Sequence, residues 1–178
     1  GHKVFPYLLK NLAITHPNQV WAMDITYIPV RGGYLYLVAI IDIYSRYVVG
    51  WSLSNTMTAE WCRDVLDEAI ETYGKPEIIN TDQGSQFTSS DWQSFLKVHR
   101  MVPSMSRRGN CHDNAVAESF FSVLKKERIK RRIYPTRAAA ASDVFDYIEM
   151  FYNPIRRHGS AGGMSPVEFE KRYAQSGD

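Results

Sequence analysis

The chain has 178 residues, of which 44% are hydrophobic and 22% are charged, and these proportions predict one globular domain rather than a disordered chain. Its longest apolar run, residues 34–41, has eight residues, whereas a membrane-spanning helix needs about 20. The formal net charge of +2 excludes a uniformly acidic or basic protein, and the absence of a signal peptide favours the cytoplasm.

The chain begins with a stretch that lacks clear periodicity, and we interpret residues 1–17 as a lead-in. Gly1 and His2 are typical of the remnant of a cleaved expression tag, so we expect the natural protein to extend further upstream. Two cysteines, Cys62 and Cys111, are too few for a disulfide framework or a zinc site. We therefore expect a fold that depends on its hydrophobic core.

Strand patterns dominate the first third of the chain. Residues 20–30 alternate, so that Asp24 shares one face with Ala22 and Thr26. Residues 34–41 are apolar on both faces, which is typical of a central strand. A third strand follows at residues 47–53, and the short turns predict an antiparallel meander.

Helices and strands alternate over the rest of the sequence. They are predicted at residues 58–73, 77–81, 89–98, 101–105, 113–129 and 138–152. A strand that returns after a helix pairs in parallel with its neighbour. This order predicts an α/β fold of the ribonuclease-H-like class, with a mixed five-stranded sheet and helices on both faces. We assign residues 18–152 to this ribonuclease-H-like core and residues 153–178 to a C-terminal extension that packs on or near it.

Three acidic residues stand out by their positions in these elements. Asp24 lies in the middle of a strand, Asp82 lies at the tip of another, and Glu118 lies on a helix 35 intervening residues after Asp82. Carboxylates that converge from two strands and a helix would bind a divalent metal ion. Each acid taken alone is equally compatible with a solvent-facing or turn position. A fourth acid, Asp42, is typical of a turn cap.

Positive charge is concentrated around Glu118. Residues 97–137 carry 11 basic and 3 acidic side chains, whereas both flanking regions are net acidic. The cluster is compatible with an ordinary solvated helix face. A carboxylate embedded in positive charge favours instead a surface that faces nucleic-acid phosphates.

Three segments carry a resemblance to a known family. The sequences WAMDITYI at residues 21–28, NTDQGSQF at residues 80–87 and SMSRRGNCHDNAVAESFF at residues 104–121 resemble the integrase-type catalytic core (DDE motif) of bacterial insertion-sequence transposases, insertion-sequence family three, kin to retroviral integrases. The resemblance extends over residues 18–173 and includes a downstream signature at residues 152–158. The chain departs from the family at Asn80-Thr81 and at Gly159, and it lacks the family's upstream helix-turn-helix.

The resemblance implies an activity and a set of site residues. It implies that Asp24, Asp82 and Glu118 are the catalytic acids and hold two Mg²⁺ or Mn²⁺ ions, with Asp24 bridging both. The implied reactions are phosphodiester nicking at transposon ends and strand transfer by a 3′ hydroxyl. The implied partners are transposon and target DNA and further copies of the chain, without a membrane or a small-molecule substrate.

Other residues are predicted to contact DNA. The polar loop at residues 106–112 offers donors and a glycine for close approach, the resemblance implies that Lys125 contacts donor DNA, and the basic cluster would add sequence-independent affinity. The predicted contacts are Arg107, Arg108, Asn110, Asn114, Lys125, Lys126, Arg128, Arg131 and Arg132.

Two alternative functions fit the same fold. A ribonuclease-H-like nuclease would cleave without joining, and it would usually carry a fourth acid close to the others. A non-enzymatic DNA-binding or assembly module would keep the shape alone. The presence of acids at all three positions favours an enzyme.

Overall fold

The structure, a computed structural model, describes residues 3–177, so Gly1, His2 and Asp178 lie outside the described residues. Five strands form one sheet in the spatial order β3-β2-β1-β4-β5. They are β1 (Val20–Val30), β2 (Gly33–Asp42), β3 (Val48–Ser54), β4 (Ile78–Thr81) and β5 (Val102–Met105). The first three pair antiparallel, and β4 pairs in parallel with both β1 and β5. This topology confirms the predicted mixed, ribonuclease-H-like sheet.

Six α-helices surround the sheet in the described part of the chain. They are α1 (Ala59–Tyr73), α2 (Ser85–Thr88), α3 (Ser90–Val98), α4 (Ala115–Leu124), α5 (Arg137–Phe145) and α6 (Pro166–Ser176). Helices α1 and α3 have a side-chain cap at their start: the hydroxyl of Thr58 accepts a hydrogen bond from the Trp61 amide, and that of Ser89 accepts one from the Trp92 amide.

The long helix predicted at residues 113–129 is a composite of three helical types. A 3-10 turn at Cys111–Asn114 leads into α4, which continues as a π-helix at Lys125–Ile129. The helix predicted at residues 138–152 likewise continues from α5 into a π-helix at Asp146–Tyr152. Hydrophobic periodicity does not distinguish these wider and tighter turns from an α-helix, because all three bury one stripe.

The core lies on both faces of the sheet. On one face, Trp21 and Met23 of β1 pack with α1 and α3. On the other face, Ala22 and Ile28 pack with α4 and α5. Asp24 therefore points, by the alternation of β1, toward the side that α4 covers, and this places it on the same side of the sheet as the helix that carries Glu118.

Both ends of the described chain contact this core. The lead-in runs beside β5, where the Met105 amide donates to the Pro6 carbonyl at 3.2 Å and the Leu8 amide donates to the Ser104 hydroxyl at 2.9 Å. Helix α6 packs through Phe169, whose ring centroid lies 4.8 Å from that of Tyr44. None of the described helices has the length and apolarity needed to cross a membrane.

Candidate active site

Asp24 lies in the middle of β1, opposite Ala39 of β2. Its side chain is half-buried, and its Oδ1 accepts a hydrogen bond of 2.9 Å from the Ile25 amide. Beyond Ala22, β1 separates from β4, because their pairing extends only from Val20 to Ala22. The carboxylate of Asp24 is therefore presented at the point where the two parallel strands diverge.

Asp82 follows directly after β4, as predicted, and is exposed. Its Oδ1 accepts a hydrogen bond of 2.8 Å from the Gly84 amide, which fixes the carboxylate over the turn. A Cβ atom at Gly84 would lie 2.9 Å from Asp82 Oδ1 and 2.6 Å from Gln86 Oε1, closer than real Cβ contacts. Glycine at this position is thus needed for the observed orientation of Asp82.

We expect Gly84→Ala to reduce the DNA nicking that the family resemblance implies by about a hundredfold, since a catalytic group displaced by about 1 Å loses a factor of that order. The atoms that a new methyl group meets are side-chain ends, so thermal stability should change little. Gly33→Ala is the matched control, because nothing lies within 4 Å of its added Cβ. Nicking rates and melting temperatures of both variants test this, and equal rates for the two would contradict it.

Glu118 lies in the first turn of α4 and is exposed, while Ala117, Phe120 and Phe121 on the same helix are buried in the core. The three acids line one cleft of about 370 Å³. The structure thus brings together residues from β1, the end of β4 and α4. The other residues of this cleft come from the 106–112 loop and its neighbours, and they include Arg107, Arg108, Asn110 and Asn114.

The pKa of Asp24 reflects this neighbourhood. Burial raises it from 3.8 to about 7, the hydrogen bond from Ile25 opposes the rise, and the negative charges of Asp82 and Glu118 add to it. Repulsion of this kind arises only between carboxylates that lie close to one another. A group with such a pKa in a cleft is typical of a functional site, and a cation placed among the three acids would relieve the repulsion.

Asn114 is a buried residue of the cleft whose side-chain amide has no hydrogen-bond partner among the described residues. It is 6% exposed, and both its Oδ1 and its Nδ2 are buried and unpaired. Leaving such a group unpaired costs about 1–3 kcal/mol. An unpaired amide that lines the cleft of the acids is therefore available to a ligand that the structure does not contain.

Asn80 is a buried residue that the sequence interpretation treated only as a departure from the family. Its Nδ2 donates to Ser106 Oγ and to the Asp113 carbonyl, both at 3.1 Å, and its Oδ1 accepts from Ser104 Oγ at 2.8 Å. This network ties β4, which ends one residue before Asp82, to the 3-10 turn that leads into α4. The position of Asp82 relative to Glu118 thus depends on Asn80.

The two asparagines predict opposite results for the same substitution. Asn114→Leu removes a buried amide without a partner, so the free energy of unfolding should stay the same or rise by up to about 1–3 kcal/mol, while nicking falls by about 10- to 100-fold. Asn80→Leu removes three hydrogen bonds to buried groups and should lower the free energy of unfolding by at least about 2 kcal/mol. Denaturant titration and nicking assays distinguish the two. A destabilised Asn114→Leu protein with normal nicking would contradict the functional role.

The predicted DNA-contacting residues differ in how free their charges are. Arg107 pairs with buried Asp113 at 2.8 Å through Nε and 2.9 Å through Nη2. Arg128 pairs with Asp143 at 3.1 Å and Asp146 at 2.6 Å. Their charges are thus largely compensated within the protein, and both contacts remain predictions.

The remaining predicted contacts lie in or near the cleft, on the π-helix that follows α4, or just after that π-helix. Arg108 Nε donates to Gln83 Oε1 at 3.1 Å, and the Asn110 side chain accepts from the His112 amide. Lys125 Nζ donates to Thr26 Oγ1 at 2.7 Å, which brings this lysine beside the strand of Asp24. Lys126, Arg131 and Arg132 are exposed.

Asp42 has the structural position expected of a turn cap. It is 1% exposed and accepts hydrogen bonds from the amides of Asn18, Tyr44 and Ser45. Its negative charge is thus directed at backbone donors of the turn, away from the cleft of the three acids.

The donor set of the cleft fits a hard divalent cation by its chemistry, since carboxylate and amide oxygens are the ligands that Mg²⁺ prefers. Among residues 3–177, no group of three or more His, Cys, Asp or Glu side chains lies close enough together to bind one metal ion. The acids thus share a cleft without being gathered into a finished coordination shell.

Comparison with known proteins relates this arrangement to a family. Integrase core domain models match residues 14–111 and 118–173. The chain is 46% identical over 158 residues to the transposase InsF of insertion sequence IS3A from Escherichia coli K12, covering 88% of this chain and 55% of that protein. It is also 46% identical over 159 residues to the transposase of insertion sequence element IS904 from Lactococcus lactis, covering 63% of that protein. The chain therefore spans somewhat more than half the length of these relatives.

Solved structures agree on the fold. The integrase catalytic core of HTLV-2, in complex with magnesium, matches with a TM-score of 0.68 at 21% identity, covering 87% of this chain and 97% of that one. A chain of the simian T-cell lymphotropic virus intasome, in complex with a PP2A regulatory subunit, matches with a TM-score of 0.75 at 18% identity, covering 96% of this chain and 59% of that one. These likenesses confirm the ribonuclease-H-like fold predicted from the sequence.

Proposed function

The chain belongs to the integrase core domain family, and on this premise we propose that it is the catalytic core of a DNA transposase. In this proposal it nicks phosphodiesters at transposon ends and then joins the freed 3′ hydroxyl to target DNA. The observation that carries the proposal is the convergence of Asp24, Asp82 and Glu118 on one cleft from two strands and a helix. Identity of 46% to two bacterial transposases supports the same reaction class.

Asp24, Asp82 and Glu118 would hold divalent magnesium or manganese. Such ions supply Lewis acidity to a phosphate oxygen and lower the pKa of a bound water or hydroxyl. Neighbouring residues hold these acids in place. The Gly84 amide orients Asp82, and the hydrogen bonds of Asn80 fix the start of α4 relative to β4. The unpaired amide of Asn114 is available to donate to a phosphate oxygen at the cleft.

DNA binding in this proposal uses the basic residues that flank the cleft. Lys125, Lys126 and Arg131 lie along the π-helix after α4 and its end, and their charges favour phosphates without reading sequence. Arg107 would act mainly by holding the loop through Asp113. The bacterial sources of the two relatives favour action on DNA in the bacterial cytoplasm, and the assembly would contain several copies of the chain.

The decisive experiment is a cleavage and strand-transfer assay on labelled terminal-repeat DNA with Mn²⁺. A transposase core is expected to produce both a nicked product and a joined product. A nuclease would give the nick without joining, and a binding module would give neither while still shifting the DNA in a gel. Omission of Mn²⁺ is the control for each reaction.

A further inference from the structure

A second cleft, of about 560 Å³, lies beside the part of β1 that no longer pairs with β4. Tyr27 and Pro29 of β1 form one side of it. The other side is the π-helix and its end, with Lys125, Lys126, Ile129, Lys130 and Arg131. We name this feature the tyrosine groove. It adjoins the cleft of the acids, because Lys125 reaches Thr26, which lies two residues from Asp24 on the same strand face.

The tyrosine groove is bordered by an exposed aromatic cluster. Tyr27 is 52% exposed and Tyr34 is 60% exposed, and their ring centroids are 5.0 Å apart in an edge-to-face arrangement. Tyr36 supports Tyr27 from the neighbouring strand, with centroids 5.4 Å apart. The cluster lies at the β1–β2 hairpin, so its rings are held by a paired sheet while their outer faces meet solvent.

The charges facing these rings are free. Within the described residues, Lys126, Lys130 and Arg131 form no ion pair, whereas Arg128 on the same segment pairs with two carboxylates. Lys130 and Arg131 both adopt left-handed backbone conformations, with φ of 49° and 66°. They end the π-helix at this point and bring two adjacent cations to the groove.

We propose that the tyrosine groove binds unpaired bases of a DNA strand adjacent to the acids. Aromatic rings stack on any base, and cations along the groove neutralise the backbone, which together are the features of single-strand sites. Bases inside a duplex are already stacked on one another and gain little from such rings. A second copy of the chain is a poor occupant, because it would bring the same free cations against these. The inference rests on the proposed function and names the form of DNA that the site takes.

The test compares two fluorescent duplexes that differ only at one end. One is blunt, and the other carries four unpaired nucleotides, and binding is measured by anisotropy in EDTA so that no cleavage occurs. Wild-type protein should prefer the overhang. The double variant Tyr27→Leu/Tyr34→Leu should bind the overhang duplex about tenfold more weakly than wild type does. Its affinity for the blunt duplex should equal that of wild type. The double variant Tyr27→Phe/Tyr34→Phe should bind both duplexes as wild type does, because both aromatic rings remain.

Tyr173→Leu is the matched control, since Tyr173 is 37% exposed on α6 and also makes an edge-to-face contact, with Tyr44. An overhang containing 5-iodouracil should also crosslink to Tyr27 or Tyr34 in wild-type protein, as mapped by mass spectrometry. This second measurement needs no substitution and so does not depend on the variants folding.

Several results would overturn the inference. Wild-type protein could bind both duplexes equally, the Tyr27→Leu/Tyr34→Leu variant could lose the same affinity for both duplexes, or crosslinks could form at other residues. A change in the oligomeric state of that variant, measured by sedimentation, would also overturn it, because it would mark a self-association face. Nicking of a blunt terminal-repeat duplex by wild type, measured separately with Mn²⁺, reports on the proposed function. Active protein without overhang preference would refute only the groove.

Discussion

Replacing Asp24 by Asn, or Glu118 by Gln, is expected to lower metal-dependent nicking by at least about a thousandfold. Each substitution removes a charged oxygen ligand while keeping nearly the same shape. A metal ion used as a Lewis acid contributes several kcal/mol to the transition state, and every 1.4 kcal/mol corresponds to a factor of ten in rate. Time courses on labelled terminal-repeat DNA with Mn²⁺ measure the loss.

The loss should be specific to the chemistry. Both variants should retain the circular-dichroism spectrum of the wild type and its affinity for DNA in EDTA, because neither carboxylate is paired with a cationic side chain within the described residues. Glu68→Gln, which neutralises an exposed carboxylate on α1, is the control for a change in net charge and should nick normally. Nicking that persisted in Asp24→Asn and Glu118→Gln would remove the basis for assigning the reaction to this cleft.

The elements that carry the acids could be predicted from the sequence because each has a strong local signal. Alternation placed Asp24 on a strand face with Ala22, and a capped helix and a glycine turn bounded the neighbouring elements. These signals act over a few residues, and the pairing of three antiparallel strands followed by parallel ones follows from them through general rules of connection. The spatial strand order β3-β2-β1-β4-β5 comes from the structure.

Features that depend on contacts distant in sequence could not be predicted. Asn80 is read from the sequence as one polar residue in a strand, yet its partners lie 24 to 33 residues away. In the sequence, Arg107 has the charge expected of a phosphate ligand. Only the structure shows that it forms an ion pair with the buried carboxylate of Asp113. Helix α6 is different, because the sequence itself displays the Ser165 cap, whose hydroxyl accepts from the Glu168 amide and donates to the Glu168 carboxylate.

The cost of burying Asp24 beside two other acids predicts a second large effect, on stability. The pKa of Asp24 is about 7 in the folded protein, compared with 3.8 for a solvated aspartate. Below pH 4 the group is protonated in both states and exerts no pH-dependent effect. As the pH rises from 4 to 7, the unfolded chain loses the proton while the folded protein retains it, so the folded state becomes less stable. Above pH 7 the full destabilisation remains.

Asp24→Asn should therefore be more stable than wild type at pH 8, and the two should converge at pH 4. The rise in pKa corresponds to at most about 4 kcal/mol, and solvent screening at a half-buried group reduces this to on the order of 2 kcal/mol. Comparing the two proteins cancels the contributions of other titrating groups, such as Asp42 and Glu170, whose pKa values burial also raises. Urea denaturation at pH 4, 6 and 8 measures the difference.

Divalent cations should reverse this difference. A cation that binds the folded protein and not the unfolded chain stabilises it by an amount that grows with the logarithm of its concentration above its dissociation constant, so millimolar Mn²⁺ at pH 8 should raise the melting temperature of wild type but not that of Asp24→Asn. At pH 4 the carboxyl of Asp24 is protonated, so Mn²⁺ should not change the melting temperature of either protein. Equal stabilisation of the two proteins at pH 8 would mean that the ion binds elsewhere. Stabilisation of wild type alone would place the ion in this cleft, where a bound cation offsets both the cost of burying the charge of Asp24 and its repulsion by Asp82 and Glu118.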